Sequence, residues 1–382
     1  MDLFKVYPVY PIEIAKASGF KLWDKEGNEY LDLYRGHAVI SIGHSHPHYV
    51  DRIKDQLDKI GFYSNSVEIP IQKELAQKLG ELSGYPDYNL FLCNSGAEAN
   101  ENALKVASFQ TKRSKILAFK GGFHGRTSGA VAITDNQKIV TPFNDSHERV
   151  LVELNDIEAT EKILSNQDIA AVIIEGIQGI GGIYLPTIEF LEQLSTLCKK
   201  HGTMLILDEI QSGYGRSGEF FAHQYSTIQP DIITIAKGMG NGFPIGGVLI
   251  HPDIEAWYGM LGTTFGGNHL ACAAALGVLE VLEKENLIQN AKDLEPIQHD
   301  LFAKIPAVKE VRGKGLMTGM EFDFPVASIR KKMVTDHRIF TGSAANPNVL
   351  RFLPPLNISE KEIKHFAKSL TKVLEDEEVH IS

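Results

Sequence analysis

Cysteine, tryptophan, excess positive charge and long apolar runs are all scarce in this chain. Among its 382 residues are 3 cysteines and 2 tryptophans. Cys93, Cys198 and Cys272 are odd in number, far apart and in no CxxC pair, which argues against a disulfide framework or a structural zinc site and leaves them as small core residues. Lys and Arg total 38 against 48 Asp and Glu, and the net charge of −10 gives no overall attraction for nucleic acid or an anionic membrane. No stretch reaches the ~18 apolar residues that a membrane span needs. The opening MDLFKVYPVYPIEIAK lacks a basic region followed by an apolar run, so a cytoplasmic protein acting on small molecules is expected.

What is present is alternation. From about residue 88, short apolar runs (NLFLC, KILAF, AAVIIE, TMLILDE, DIITIAK, GGVLI) read as strands, with amphipathic stretches between them, the pattern of a mostly parallel sheet covered by helices. AEANENALKVASFQ and TIEFLEQLSTLCKKHG read as two of those helices, the second closed by Gly202 where a left-handed cap is wanted. FKLWDKEGNEYLDL reads as a hairpin around Glu26-Gly27-Asn28, and the chain beyond about residue 276 reads as long helices with a few strands. The length suits two domains better than one, since single cores stop growing near ~250 to 300 residues. No repeat or Pro-rich linker divides them, so the central part should form a large domain and both chain ends a small one.

Three features of the central part carry chemistry. Asn94-Ser95-Gly96-Ala97 lies between a predicted strand and a predicted helix, where free backbone N–H groups and the Ser95 hydroxyl would cradle a phosphate; an ordinary N-cap is the alternative. The segment matches neither GxGxxG nor GxxxxGK[ST], so the nucleotide fingerprints are missing. TMLILDE brings Asp208, and DIITIAK brings Lys237, to the carboxyl edge of the sheet, where open α/β folds bind ligands. A lysine at a strand end is usually just solvated. Convergence of a phosphate loop, an acid and a lysine on one sheet edge is what pyridoxal 5′-phosphate needs: Lys237 to hold its aldehyde as a Schiff base, Asp208 to keep its ring nitrogen protonated.

The chain resembles the class III, ornithine-type aminotransferases, and among them the N-acetylornithine aminotransferases. The matches run in order through LWDKEGNEYLDL, IGHSHP, NSGAEANENALK, GGFHGRT, LDEIQSGYGRSG, DIITIAKGMGNGFP, TTFGGNHLACAAAL, GKGLMTGMEF and VLRFLPPLNIS. The resemblance implies the pyridoxal-phosphate-dependent aspartate aminotransferase fold (fold type I), an α/β architecture. A large cofactor-binding domain over 43–275 would carry a mostly parallel seven-stranded sheet, and 1–42 with 276–382 would form a smaller α+β domain. It implies ping-pong transfer of the distal amino group of N-acetyl-L-ornithine to 2-oxoglutarate, in a homodimer with active sites at the interface. N-succinylornithine, ornithine and other ω-amino acids stay open as donors, and an aminomutase of the same fold and a non-catalytic scaffold stay open as competitors.

The same resemblance assigns residues. Ser95, Gly96 and Ala97 would hold the phosphate, with Thr264 crossing from the partner subunit to reach it. Phe123 would stack on the pyridine face, Ile210 would pack on the other side, Gln211 would reach the ring hydroxyl, and His124 joins Asp208 and Lys237 in the cofactor set. Arg126 would grip the α-carboxylate of the donor, with Tyr7 helping, and Arg351 the α-carboxylate of glutamate or 2-oxoglutarate, both through paired hydrogen bonds.

Two departures stand out, and one histidine cluster needs a reading of its own. EGIQGIGG has Ile180 where the family usually has a glutamate that shields the arginine matching Arg351, and Glu175 should face away from that place by the two-residue period of a strand. LYRGHAV puts Arg35 and His37 where the family is small and apolar: extra charge for an acyl group with its own carboxylate, or a plain surface loop. His44, His46 and His48 alternate, but Pro47 suits the first turn of a helix and no acidic or Cys ligand adjoins, so no metal site is expected.

Overall fold

The hairpin near the N-terminus forms as its sequence demands. In the computed structural model, which describes residues 1–381, strands β1 (Ile14–Ser18), β2 (Lys21–Asp24) and β3 (Glu29–Asp32) make an antiparallel meander. Asp24 tightens its turn by accepting from Asn28 N (2.7 Å) and Tyr30 Oη (3.1 Å).

The central strands are β4 (Asn89–Cys93), β5 (Lys115–Phe119), β6 (Arg149–Val152), β7 (Ile169–Glu175), β8 (Met204–Asp208), β9 (Ile232–Ile235) and β10 (Gly246–Ile250). They form one seven-stranded sheet in the order β4-β10-β9-β8-β7-β5-β6, parallel except that β10 runs against both neighbours. The seventh strand, RVLV, was not among the apolar runs read from the sequence. It is short and lies at the sheet edge, where one buried residue, Val152, is enough.

Every residue of β7 is buried, as expected of a central parallel strand covered on both faces. Val172, Leu205 and Leu207 pack with the helix Ile188–His201 on one face, while Ile173 and Ile206 pack with Ala99, Ala103 and Val106 of the helix Gly96–Thr111 on the other. The Ile188–His201 helix starts where Thr187 Oγ1 accepts from Phe190 N (3.1 Å) and carries Lys199, Lys200 and His201 in its last turn. It stops at Gly202, whose φ of 59° is the left-handed cap that the sequence predicts.

The C-terminal strands are β11 (Glu310–Lys314), β12 (Met317–Glu321), β13 (Ile339–Phe340), β14 (Gly342–Ser343) and β15 (Val349–Phe352). β13 adds in parallel to β3, joining the two chain ends in one sheet, and the other four form an antiparallel sheet in the order β11-β12-β15-β14. His44, His46 and His48 each meet a different carboxylate, Asp32, Glu285 and Glu280, and Pro47 opens the helix Pro47–Leu57. Among the described residues no helix is long and apolar enough to cross a membrane.

Candidate active site

Strand register builds the floor of the site. Glu175 of β7 pairs across the sheet with Asp208 of β8, which pairs with Thr234 of β9, so three polar side chains share one row at the carboxyl edge. All three are buried, and buried polar groups need partners. Asp208 Oδ2 accepts from His124 Nδ1 and from Asn100 Nδ2, both at 2.8 Å, and Asp208 Oδ1 accepts from Ile210 N (3.1 Å). Asn100 is fixed in turn, donating to the His124 carbonyl (2.7 Å) and accepting from Thr234 Oγ1 (2.7 Å). The carboxylate is therefore locked in position.

Lys237 does not close the strand, as its sequence context suggested. β9 ends at Ile235, and Lys237 opens a short 3-10 turn with φ of 45°, a left-handed conformation that costs energy for any residue but glycine. Burial pushes the Lys237 ammonium below its ordinary range, Asp208 and Glu175 pull the other way, and Arg351 adds to the lowering. A lysine so placed releases its proton more readily than a free one.

A cavity of about 360 Å³ brings together Ser95, Gly96, Ala97, Phe123, His124, Arg126, Asp208, Ile210, Gln211 and Lys237. Ser95 caps the Gly96–Thr111 helix by accepting from Glu98 N (3.2 Å), so the ordinary N-cap reading holds as well, while the helix start still opens on the cavity. A Cβ on Gly96 would come within 2.9 Å of Ile210 Cδ1 and Cγ2, so glycine there makes room for the side chain expected against the pyridine. A helix N-terminus for a phosphate, a locked buried carboxylate for a ring nitrogen and a poised amine together fit pyridoxal 5′-phosphate.

The other expected residues lie elsewhere. Arg351, on β15, is buried and outside the cavity lining; it donates to the Ser343 carbonyl (2.5 Å), the Gly179 carbonyl (2.9 Å) and Gln211 Oε1 (3.0 Å). Burial pushes its guanidinium down to about 10. Gln211 thus commits its side-chain oxygen to Arg351. Thr264 is exposed on its loop, away from the cavity. Tyr7 is 82% exposed and lines a different cavity, because the N-terminal segment runs beside Tyr34 and Phe340 rather than over the floor.

Two expectations are overturned. Ile180 and Glu175 both line the catalytic cavity: β7 ends at Glu175 and a single turn over Gly179–Gly182 follows, so strand alternation does not extend between them. Arg35 is neither solvated nor turned to the cavity. It is fully buried, its guanidinium donating to the Leu353 and Ile40 carbonyls and its backbone N–H to Asp32 Oδ1 (2.7 Å).

Sequence reasoning missed Asn100 as a site residue and misplaced Glu175. Asn100 stands four residues after Gly96, on the same face of a helix it does not favour, and that mismatch was the available signal. Glu175 ends a buried strand just as Asp208 does. It accepts from Phe123 N (3.0 Å) and Gly179 N (2.9 Å), and its pKa is pushed up to about 7 by burial, reinforced by Asp208 and opposed by His124 and the two N–H donors.

Comparison with known proteins agrees with this geometry. The family model for class-III aminotransferases matches residues 5–374. The acetylornithine aminotransferase of Bacillus subtilis is 40% identical, over 98% of this chain and 97% of its own. A structure of the ornithine aminotransferase from Toxoplasma gondii, described with partial occupancy of PLP at its active site, superposes with a TM-score of 0.88 at 30% identity, covering 97% of this chain and 91% of that one. The acetylornithine aminotransferase of Elizabethkingia anophelis gives 0.85 at 30% identity, over 98% and 96%. With likeness running along nearly the whole chain, this protein belongs to the class-III aminotransferases and works with pyridoxal 5′-phosphate.

Proposed function

We propose that the chain moves the distal amino group of N-acetyl-L-ornithine to 2-oxoglutarate, giving N-acetylglutamate 5-semialdehyde and glutamate, as a step of arginine biosynthesis. One observation carries the reading: Lys237, Asp208 and the Ser95–Ala97 helix start share a cavity with Arg126 at its rim, in a chain similar throughout to enzymes named acetylornithine aminotransferase. When bound, the cofactor supplies an aldehyde and a ring that takes up the electron pair left as a proton leaves the substrate carbon.

This chain's residues do the rest. Ser95 Oγ and the N–H groups of Gly96 and Ala97 would hold the phosphate, Phe123 and Ile210 would confine the ring, and Asp208, fixed by Asn100 and His124, would keep the ring nitrogen protonated. Lys237 Nζ takes the proton from the substrate carbon and returns it, a role that its lowered pKa favours. Arg126 grips the donor's α-carboxylate and Arg351 that of the keto acid.

We further infer a homodimer, because Thr264 is exposed in the single chain and its neighbour Phe265 packs on Phe62 with both rings left exposed. A division into 43–275 and the two joined ends is supported by the β3–β13 pairing. Three free, buried cysteines favour a cytoplasmic setting.

The test is a single-turnover titration of the cofactor-loaded enzyme with N-acetylornithine, N-succinylornithine and ornithine, followed by absorbance. Preference for an acylated donor is expected, and inertness to all three would sink the substrate assignment. Lys237→Ala should lower turnover by about 10² to 10⁴-fold.

A further inference from the structure

The turn over Gly179–Gly182 brings Ile180 to the catalytic cavity, and the C-terminal sheet stands behind it. Register explains how the two fit. Across that sheet Arg312 of β11 pairs with Gly319 of β12, which pairs with Arg351 of β15, so the three lie in one row. Residues paired directly across antiparallel strands project to the same face, and at strand spacing the two arginine backbones stand about 10 Å apart with only a glycine between them. The turn fills that gap. A Cβ on Gly319 would come 3.1 Å from Ile183 Cβ and 3.2 Å from the Gly182 carbonyl oxygen.

Each arginine takes one end of the turn. Arg351 Nη1 donates to the Gly179 carbonyl (2.9 Å), and Arg312 Nε donates to the Gly182 carbonyl (3.0 Å). Arg312 is 8% exposed, and its guanidinium lies over the Tyr184 ring, 4.2 Å from the centroid. Glu310 and Glu321 accept from its Nη1 (2.8 and 2.5 Å), which fixes the side chain in place. The Tyr184 hydroxyl accepts from Asn346 Nδ2 (3.0 Å), and the Ile180 carbonyl accepts from Ala345 N (2.7 Å).

The backbone so held is strained. Ile183 follows the turn with φ of 61° and is fully buried, and a β-branched residue keeps such a conformation only where its surroundings over-determine it. The other end of the same turn belongs to the catalytic cavity: Gly179 N donates to Glu175, the Gly179 carbonyl accepts from Arg351, and Ile180 lines the wall.

We propose that Arg312 is a positioning residue for the keto-acid half-reaction: by clasping the Gly182 end of the turn against the Gly319 gap, it sets where Arg351 and Ile180 stand. The assignment rests on the reading above that Arg351 meets the α-carboxylate of 2-oxoglutarate.

The test compares Arg312→Lys, Gly319→Ala and, as a control, Glu310→Gln. Enzyme loaded with pyridoxamine 5′-phosphate is titrated with 2-oxoglutarate, and enzyme loaded with pyridoxal 5′-phosphate with N-acetylornithine, both followed by absorbance. Arg312→Lys keeps a cation for the two glutamates but loses the planar group over Tyr184 and the Nε donor. Gly319→Ala presses on the turn while leaving Arg312 intact. Either should raise the 2-oxoglutarate concentration for half-maximal rate about fivefold, with the limiting rate and the donor half-reaction within about twofold of wild type. Glu310→Gln, which spares the Gly182 bond and the Glu321 pair, should change neither half. Should one variant fold poorly, the other still decides.

The clasp is overturned if the variants slow both half-reactions equally, if neither half-reaction changes, or if Glu310→Gln reproduces Arg312→Lys. If the variants raise the requirement for the donor and spare 2-oxoglutarate, the clasp stands and the assignment of Arg351 to the keto acid falls. The 2-oxoglutarate arm needs no amino donor, so inertness of N-acetylornithine would sink the substrate reading and leave this result standing.

Discussion

Asp208 and Arg126 line the same cavity on opposite terms. Asp208 is 3% exposed and spends both oxygens on His124, Asn100 and Ile210, whereas Arg126 is exposed and its side chain has no hydrogen-bond partner among the described residues. Thr264 and Tyr7 share the condition of Arg126. The floor is finished within one folded chain, while Arg126 at the rim is left without a partner in it. Substitutions in the floor should therefore change the rate of the chemistry, and those that meet carboxylates should change the concentration of substrate required.

The largest effect should come from the floor. Asp208→Asn keeps the shape and loses the charge, and should reduce the half-reaction rate by about 10² to 10³-fold with little change in substrate KM. A rate within threefold of wild type would break the contrast. Next come the two arginines, tested crosswise. Arg126→Lys should raise KM for the amino donor about tenfold and spare 2-oxoglutarate, while Arg351→Lys should do the reverse, because a lysine cannot make the paired contact. If each variant impairs both substrates equally, the assignment of the two carboxylates is wrong.

A smaller effect is expected at Ile180, which lines the cavity near an Arg351 held by neutral oxygens. Ile180→Glu should weaken 2-oxoglutarate turnover roughly threefold relative to the donor half-reaction by supplying a competing carboxylate; equal change in both halves would remove Ile180 from any gating role. The subtlest concerns Glu175. Its pKa rises from 4.5 to about 7 on folding, so between those values the folded protein holds a proton that the unfolded chain has released, and stability should fall as pH rises through that window. Denaturant unfolding across this range should show the decline in wild type and a flatter profile in Glu175→Gln.

The floor was largely legible in the sequence, since an apolar run ending in Asp208 advertises a charge at the end of a buried strand. Lys237 was legible too, although its turn was not, because a left-handed φ leaves no mark on a non-glycine residue. Arg126, Arg351 and Thr264 could be named only through the family motifs, as an isolated arginine or threonine says nothing about what it faces. The misreadings have a common origin. Arg35 and Glu175 were judged by local periodicity or expected solvation, yet their places are set by segments far along the chain, Leu353 for the one and the Phe123 loop for the other. The opposite edge of the big sheet was missed because RVLV is too short to signal itself.

The contact between Gly96 and Ile210 has an evolutionary corollary. Because the isoleucine side chain occupies the space that any β-carbon at position 96 would claim, positions 96 and 210 cannot vary independently. A lineage that enlarged residue 96 would first have to shrink residue 210, loosening the packing of the cavity wall before gaining anything in return, so the two positions are expected to drift as a pair or not at all.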